Sequence, residues 1–126
     1  KLVDDQISNP TWARMMAEVT ALLLAQSQGD PYGYLSERSG LYHLAGDGYA
    51  SRLEWAQEIL KLDPNPAKRT ARELLPARTS DFPAPAERPL FAALNCERFT
   101  RTFGLRLPAW QNALQQAMES LSETAA

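Results

Sequence analysis

The chain has 126 residues, which fits one domain and leaves little room for a second. Hydrophobic residues make up 44% and charged residues 22%, which is ordinary for a globular protein and excludes wholesale disorder and a fibrous protein. The formal net charge of -2 argues against nucleic acid as a partner, because a phosphate backbone needs a basic face; a local basic pocket remains allowed.

The cysteine count and the apolar runs bound the environment of the chain. Its one cysteine, Cys96, excludes an intramolecular disulfide and a Cys-rich zinc site, and it is typical of a reducing compartment. Next to a helix start it is interpreted as a small apolar side chain rather than a nucleophile. The longest apolar run, 21–25, is far too short to cross a bilayer, so we expect no membrane partner.

The first third of the chain predicts one weak strand and one helix. Residues 2–6 form a short, partly apolar run, and Asn9 with the following proline marks a turn. Thr11 is a suitable cap for a helix over residues 12–28, where apolar residues recur at helical spacing. Residues 32–39 are typical of a polar loop with two tyrosines.

The middle of the chain predicts a buried strand followed by a second helix. Residues 40–45 form an apolar and aromatic run between glycines, which is typical of a buried strand. The only histidine, His43, lies in this run; we interpret it as a structural residue in preference to a catalytic base. Ser51 and Glu54 form a capping box that opens a helix, and the Asp-Pro at Asp63 ends it.

The last part predicts a short strand, an irregular loop and two helices. A strand within 70–78 ends near residue 77, and the proline-rich segment 80–89 excludes regular structure. Asn95 can cap a short helix over 96–103, and Pro108 opens the final helix. Helices therefore dominate, with too few strands for a complete doubly wound sheet.

Two charged features are candidates for chemistry: the pair Asp4 and Asp5, and the single residue Arg88. Asp4 and Asp5 are adjacent, so on a strand they point to opposite faces, which disfavours a metal site or an acid–base pair. One of them is expected to bond local backbone and the other to face water. Arg88, held in a proline-braced loop, suits bidentate phosphate binding, and the alternative is an ion pair with Glu87 or Asp81.

Four segments in order resemble one enzyme family. Together they are similar to the dTDP-4-dehydrorhamnose reductases, which are extended short-chain dehydrogenase/reductases. The resemblance covers nearly the whole chain and rests on DDQISNPTWA at 4–13, GLYHLAG at 40–46, DFPAPAERP at 81–89 and FGLRLPAW at 103–110.

The resemblance implies an α/β fold, in which residues 1–126 form a single C-terminal substrate-binding domain. In this family an upstream Rossmann domain carries the nucleotide-binding glycine loop and a catalytic Tyr-x-x-x-Lys pair, and here no Tyr is followed four residues later by Lys. The complete enzyme would reduce the 4-keto group of dTDP-4-dehydro-L-rhamnose with hydride from NADPH or NADH. The product, dTDP-L-rhamnose, is a precursor of cell-surface polysaccharide such as lipopolysaccharide, which implies a cytoplasmic enzyme.

The resemblance also implies a set of substrate-binding residues and partners. Gln6, Pro10 and Thr11 match the segment that faces the sugar-nucleotide cleft, and Arg88 matches an arginine that bonds the diphosphate. The implied partners are a dTDP-sugar and the Rossmann half, while a metal and a homodimer stay open. Two alternatives to a reductase lobe remain: a non-catalytic regulatory or binding module of the same superfamily, and a fragment that pairs with itself through surface that the Rossmann half would cover.

Overall fold

The computed structural model describes residues 1–71 and 73–124, with helices, short strands and long irregular connections. The helices are α1 (Ala13–Ala25), α2 (Pro31–Glu37), α3 (Arg52–Leu62), α4 (Glu97–Phe103) and α5 (Trp110–Thr124). The strands are β1 (Leu2–Val3), β2 (Ile7–Ser8), β3 (Ala50–Ser51) and β4 (Pro76–Ala77). Across the described ranges, no helix combines the length and apolarity that crossing a bilayer requires.

The opening segment of the chain joins three distant regions through backbone hydrogen bonds. β1 pairs in parallel with β4, and β2 pairs antiparallel with β3. Ile7 adds a third connection, because its N–H donates to the carbonyl of Leu90 and its carbonyl accepts from the N–H of Ala92. The first eight residues therefore hold the start of α3, β4 and the end of the proline-rich loop against one another.

The core lies between α1, α4 and the segment that precedes α5. Val19, Phe99, Phe103 and Leu107 are its buried apolar side chains. Tyr42 packs edge-on against this cluster, with its ring centroid 5.0 Å from that of Phe103. Such apolar burial is the main source of stability for a chain of this size.

The buried strand expected over residues 40–45 is not formed. Tyr42 and Leu44 pack against the core, whereas Leu41 is 78% exposed and His43 is also exposed. The side chains thus alternate as they would in a strand, but this segment belongs to no strand that the described residues form. His43 therefore does not lie in the predicted buried strand, because side-chain alternation reports extended backbone and not a sheet partner.

The polar loop expected over residues 32–39 is also wrong, because α2 occupies most of it. The Asp30 carboxylate accepts a hydrogen bond of 2.9 Å from the N–H of Gly33 and so caps the helix, and Pro31 takes its first position. An acidic cap followed by proline is a favourable helix start. This local signal was present in the sequence, although the glycine and tyrosines that follow obscured it.

Three other local signals are confirmed. Ser51 accepts from the N–H of Glu54 while the Glu54 carboxylate accepts from the N–H of Ser51, which is the capping box predicted for α3. The helix ends before Asp63, as expected. Gly104 adopts φ +67° and ends α4, a conformation that a residue without a Cβ adopts at little cost.

Replacing Ser51 with alanine should lower the free energy of unfolding by about 1 kcal/mol, because it removes the hydroxyl that caps a buried helix start. Ser51 is only 3% exposed, so water cannot fully replace that bond. Urea unfolding followed by circular dichroism measures the change. The matched control is Ser36→Ala on α2, whose exposed side chain caps no helix; equal losses in both variants would contradict the assignment.

Candidate functional site

A groove of about 710 Å³ opens between β1, the start of α3 and the proline-rich loop. This volume is within the range of small-molecule sites. We call it the Gln6–Arg88 groove, after the two predicted site residues that line it. Its walls include Gln6, Arg52, Thr79, Phe82, Arg88 and Leu90.

The charge of the groove is positive, although the chain as a whole is acidic. Lys1, Arg52 and Arg88 line it together with one carboxylate, that of Glu87. None of these three cations forms a hydrogen bond or ion pair with another residue that the structure describes. Three uncompensated cations make the groove suited to an anionic ligand.

The ion-pair alternative for Arg88 is not formed within the described ranges. The Asp81 carboxylate instead accepts a 2.9 Å hydrogen bond from the N–H of Arg78. Arg88 is exposed and lines the groove. Its guanidinium is therefore available to a ligand. Arg52 was missed by sequence reasoning, because its place in the capped first turn of α3 carries no sign that it borders a groove.

Gln6 is held by a short hydrogen-bonded chain. Its Nε2 donates to the hydroxyl of Thr79 over 3.1 Å, and that hydroxyl donates to the Asp5 carboxylate over 2.7 Å. The N–H of Thr79 also donates to both carboxylate oxygens of Asp5, at 3.0 and 3.1 Å. Gln6 is therefore fixed to the segment that leads into the proline-rich loop.

The hydrogen bond from the Thr79 hydroxyl is the main reason that the pKa of Asp5 lies below its ordinary value. Partial desolvation opposes this effect, while the Thr79 N–H and the charge of Arg78 add to it. Asp4 lies close to the same arginine, with 3.6 Å between its Oδ1 and the Arg78 guanidinium. The expected division into one locally bonded and one water-facing aspartate is thus wrong, because Asp5 bonds a distant loop and Oδ1 of Asp4 is buried.

The structure places Pro10 and Thr11 outside the Gln6–Arg88 groove. Both line a neighbouring hollow bordered by the indoles of Trp12, Trp55 and Trp110. The Thr11 hydroxyl donates to the carbonyl of Asn9 and accepts from the N–H of Gly46, each over 3.0 Å. The sequence predicted that Thr11 caps α1, but in the structure it does not.

Asn9 is a structural residue that sequence reasoning took only for part of a turn. Its Nδ2 donates to the carbonyls of Gly46 and Gly48 at 3.2 and 2.7 Å, and its Oδ1 accepts from the N–H of Leu94 at 2.7 Å. A Cβ at Gly46 would lie 2.3 Å from the carbonyl oxygen of Pro10, so this crossing requires glycine. No local sequence pattern predicts these hydrogen bonds of Asn9, since its partners are 37 to 85 positions away.

A second hollow, of about 430 Å³, lies beside Asn9 and contains Cys96 in its lining. Its walls carry the carboxylates of Asp47 and Glu97 against the single guanidinium of Arg106. This balance suits an anion less well than that of the Gln6–Arg88 groove. Within the described ranges, no group of three or more His, Cys, Asp and Glu residues could hold a metal ion.

Replacing Asp5 with asparagine should lower stability at neutral pH but have little effect in acid. A pKa that is depressed in the folded state means that the carboxylate stabilises the fold above its unfolded value, about 3.9, and that this contribution is lost as the pH falls through the folded value. Urea unfolding at pH 7 and pH 2.5 measures the difference. The control is Glu87→Gln, which alters an exposed carboxylate; a deficit of Asp5→Asn that is equal at both pH values would contradict the coupling.

The comparisons with known proteins agree on one family. The family model described as "RmlD substrate binding domain" matches residues 1–123. The chain is 33% identical over 124 residues to a dTDP-4-dehydrorhamnose reductase of Burkholderia thailandensis, covering 96% of this chain and 41% of that protein. A reductase of the same name from Escherichia coli K12 is 30% identical, with 99% and 40% covered. The chain thus spans about two-fifths of the length of these relatives.

Solved structures give the same result. A dTDP-4-dehydrorhamnose reductase of Bacillus anthracis, in complex with NADP, matches with a TM-score of 0.69 and 26% identity, covering 91% of this chain and 36% of that one. The reductase of Clostridium acetobutylicum matches in fold, with a TM-score of 0.75 at 24% identity over 96% of this chain and 38% of that one. The expected α/β substrate-binding lobe is confirmed, and the chain belongs to the RmlD substrate binding domain family.

Proposed function

We propose that this chain is the substrate-binding lobe of a dTDP-4-dehydrorhamnose reductase and that its Gln6–Arg88 groove holds the dTDP-sugar. The observation that carries the proposal is the free guanidinium of Arg88 in a groove that it shares with Gln6 and two further cations. Membership of the family supports the substrate class, and the groove is the site that we propose for it.

The diphosphate matches the charge of the groove. It carries about two negative charges, and Arg88 and Arg52 both offer planar arrays of N–H donors to its oxygens. Lys1 adds a third positive charge on the same lining. A charged ligand is bound best where the cations are not already neutralised, which is the condition of these three side chains.

Apolar surface beside these cations suits the remainder of the ligand. Phe82 and Leu90 line the groove, and both are about half exposed. Rings of a base or sugar bury apolar faces against such side chains, while a few polar groups fix their orientation. Pro10 and Thr11 border a separate hollow, so their contact with the substrate stays a prediction.

The reaction requires groups that we assign to another part of the complete protein. The described glycines do not form a loop between a parallel strand and a helix; Gly46 and Gly48, for example, are bonded to Asn9 in an irregular segment. The residues that the structure describes do not fit NADPH or NADH by themselves. An upstream Rossmann half would bind the cofactor and supply the catalytic tyrosine, so the isolated chain would be inactive.

The Rossmann half would also cover apolar surface of this chain. Tyr32 and Leu41 are 85% and 78% exposed, which is unusual for side chains of this size. We therefore expect the isolated chain to associate with itself, and sedimentation velocity at two concentrations measures this. A strict monomer at both concentrations would contradict the expectation.

Replacing Arg88 with alanine in the full-length protein should weaken dTDP-sugar binding by about 1.5–3 kcal/mol, because a charge-assisted hydrogen bond is lost. Steady-state kinetics with dTDP-4-dehydro-L-rhamnose should show a raised KM. The matched control is Arg101→Ala, which removes an exposed arginine of α4 outside the groove. Unchanged KM and kcat in Arg88→Ala would remove this residue from the site, and an inactive wild-type protein would favour the non-catalytic module.

A further inference from the structure

We propose that Thr79 is a positioning residue that fixes the amide of Gln6, so that the groove presents the Gln6 carbonyl oxygen to a hydrogen-bond donor of the ligand. This inference rests on the proposed function, because it names how the same groove reads its ligand. It stands on the hydrogen-bond chain from Asp5 through Thr79 to Gln6.

The direction of this chain is set at Asp5. The hydrogen bonds that Asp5 receives lower its pKa, so the carboxylate is ionised at neutral pH and can only accept. The Thr79 hydroxyl, 2.7 Å away, must therefore donate its single proton to Asp5. The N–H of Thr79 donates to the same carboxylate and holds it in place.

The direction then passes to Gln6. Because the Thr79 hydroxyl donates its single proton to Asp5, it can only accept a hydrogen bond from Gln6. The atom of Gln6 that lies 3.1 Å away must therefore be the NH₂ group, Nε2. The two ends of a side-chain amide have nearly the same shape, so without this constraint the amide could turn by half a rotation.

The side-chain carbonyl oxygen of Gln6 is free to accept a hydrogen bond from a ligand. Its Oε1 has no hydrogen-bond partner among residues 1–71 and 73–124, and Gln6 lines the groove. An amide oxygen accepts hydrogen bonds and rejects other acceptors, so it recognises a hydroxyl or an N–H. In a dTDP-sugar these donors are the hydroxyls of the hexose, the 3′-hydroxyl of the deoxyribose and the N–H of the base.

The test replaces Thr79 in the full-length protein. Thr79→Val removes the hydroxyl at nearly constant shape and keeps the backbone bond to Asp5, whereas Thr79→Ser retains the hydroxyl as the matched control. We expect Thr79→Val to raise KM for dTDP-4-dehydro-L-rhamnose about three- to tenfold, with kcat changed less than about twofold, and Thr79→Ser to stay within about twofold of wild type.

A double-mutant cycle separates positioning from a general structural role. Gln6→Ala should raise KM by about as much as Thr79→Val, and the double variant should be no worse than Gln6→Ala alone. Multiplying effects would overturn the proposal, as would wild-type kinetics in Thr79→Val or an equal loss in Thr79→Ser. Thermal melting of each variant reports any loss of fold.

A comparison of two ligands identifies the ligand group that donates a hydrogen bond to Gln6. If the donor is a hexose hydroxyl, Thr79→Val weakens binding of dTDP-L-rhamnose but not of dTDP in titration calorimetry. If the donor is the deoxyribose hydroxyl or the base N–H, both ligands lose affinity equally. If neither ligand binds more weakly to Thr79→Val, the proposal is overturned. An effect of Arg88→Ala without an effect of Thr79→Val would refute positioning and leave the proposed function standing, whereas a wild-type protein that binds neither ligand would refute both.

Discussion

The contact between Asp5 and Thr79 is the interaction on which the candidate site depends. It joins residues 74 positions apart through three hydrogen bonds to one carboxylate. It fixes the point where the chain leaves β4 and enters the proline-rich loop, so that Arg88 returns to the groove that Gln6 lines. Together with the pairing of β1 with β4 and the backbone bonds of Ile7, it keeps the two predicted ligand-binding residues on one groove.

The site also illustrates how an acidic chain can hold an anion. The net charge of -2 disfavours a nucleic-acid partner, yet it says nothing about where the cations lie. Three of them border one groove, and Glu87 is the one acidic residue among the described residues that line it. The Asp81 carboxylate accepts a hydrogen bond from the N–H of Arg78 instead. Local distribution, not total charge, decides what such a surface can bind.

What the sequence predicted correctly was mostly local. The capping box of Ser51 and Glu54 and the stop at Gly104 depend on neighbouring residues, and both are confirmed. The family resemblance added Gln6 as a substrate-binding residue, because an ordered set of motifs carries information that periodicity lacks; its contact with the substrate stays a prediction.

What the sequence failed to predict was mostly long-range. The three hydrogen bonds of Asn9, the relay through Thr79 and the place of Arg52 on the groove each require knowing which distant segments meet. The strand prediction for residues 40–45 was wrong for the same reason, since extended backbone becomes a strand only where a partner strand lies alongside it.

The most direct test of the account is a crystal structure of the full-length protein with dTDP bound. We expect diphosphate oxygens within about 3 Å of the Arg88 guanidinium, in the groove that Gln6 lines. A nucleotide held instead in the hollow beside Asn9, with Arg88 left in solvent, would contradict it.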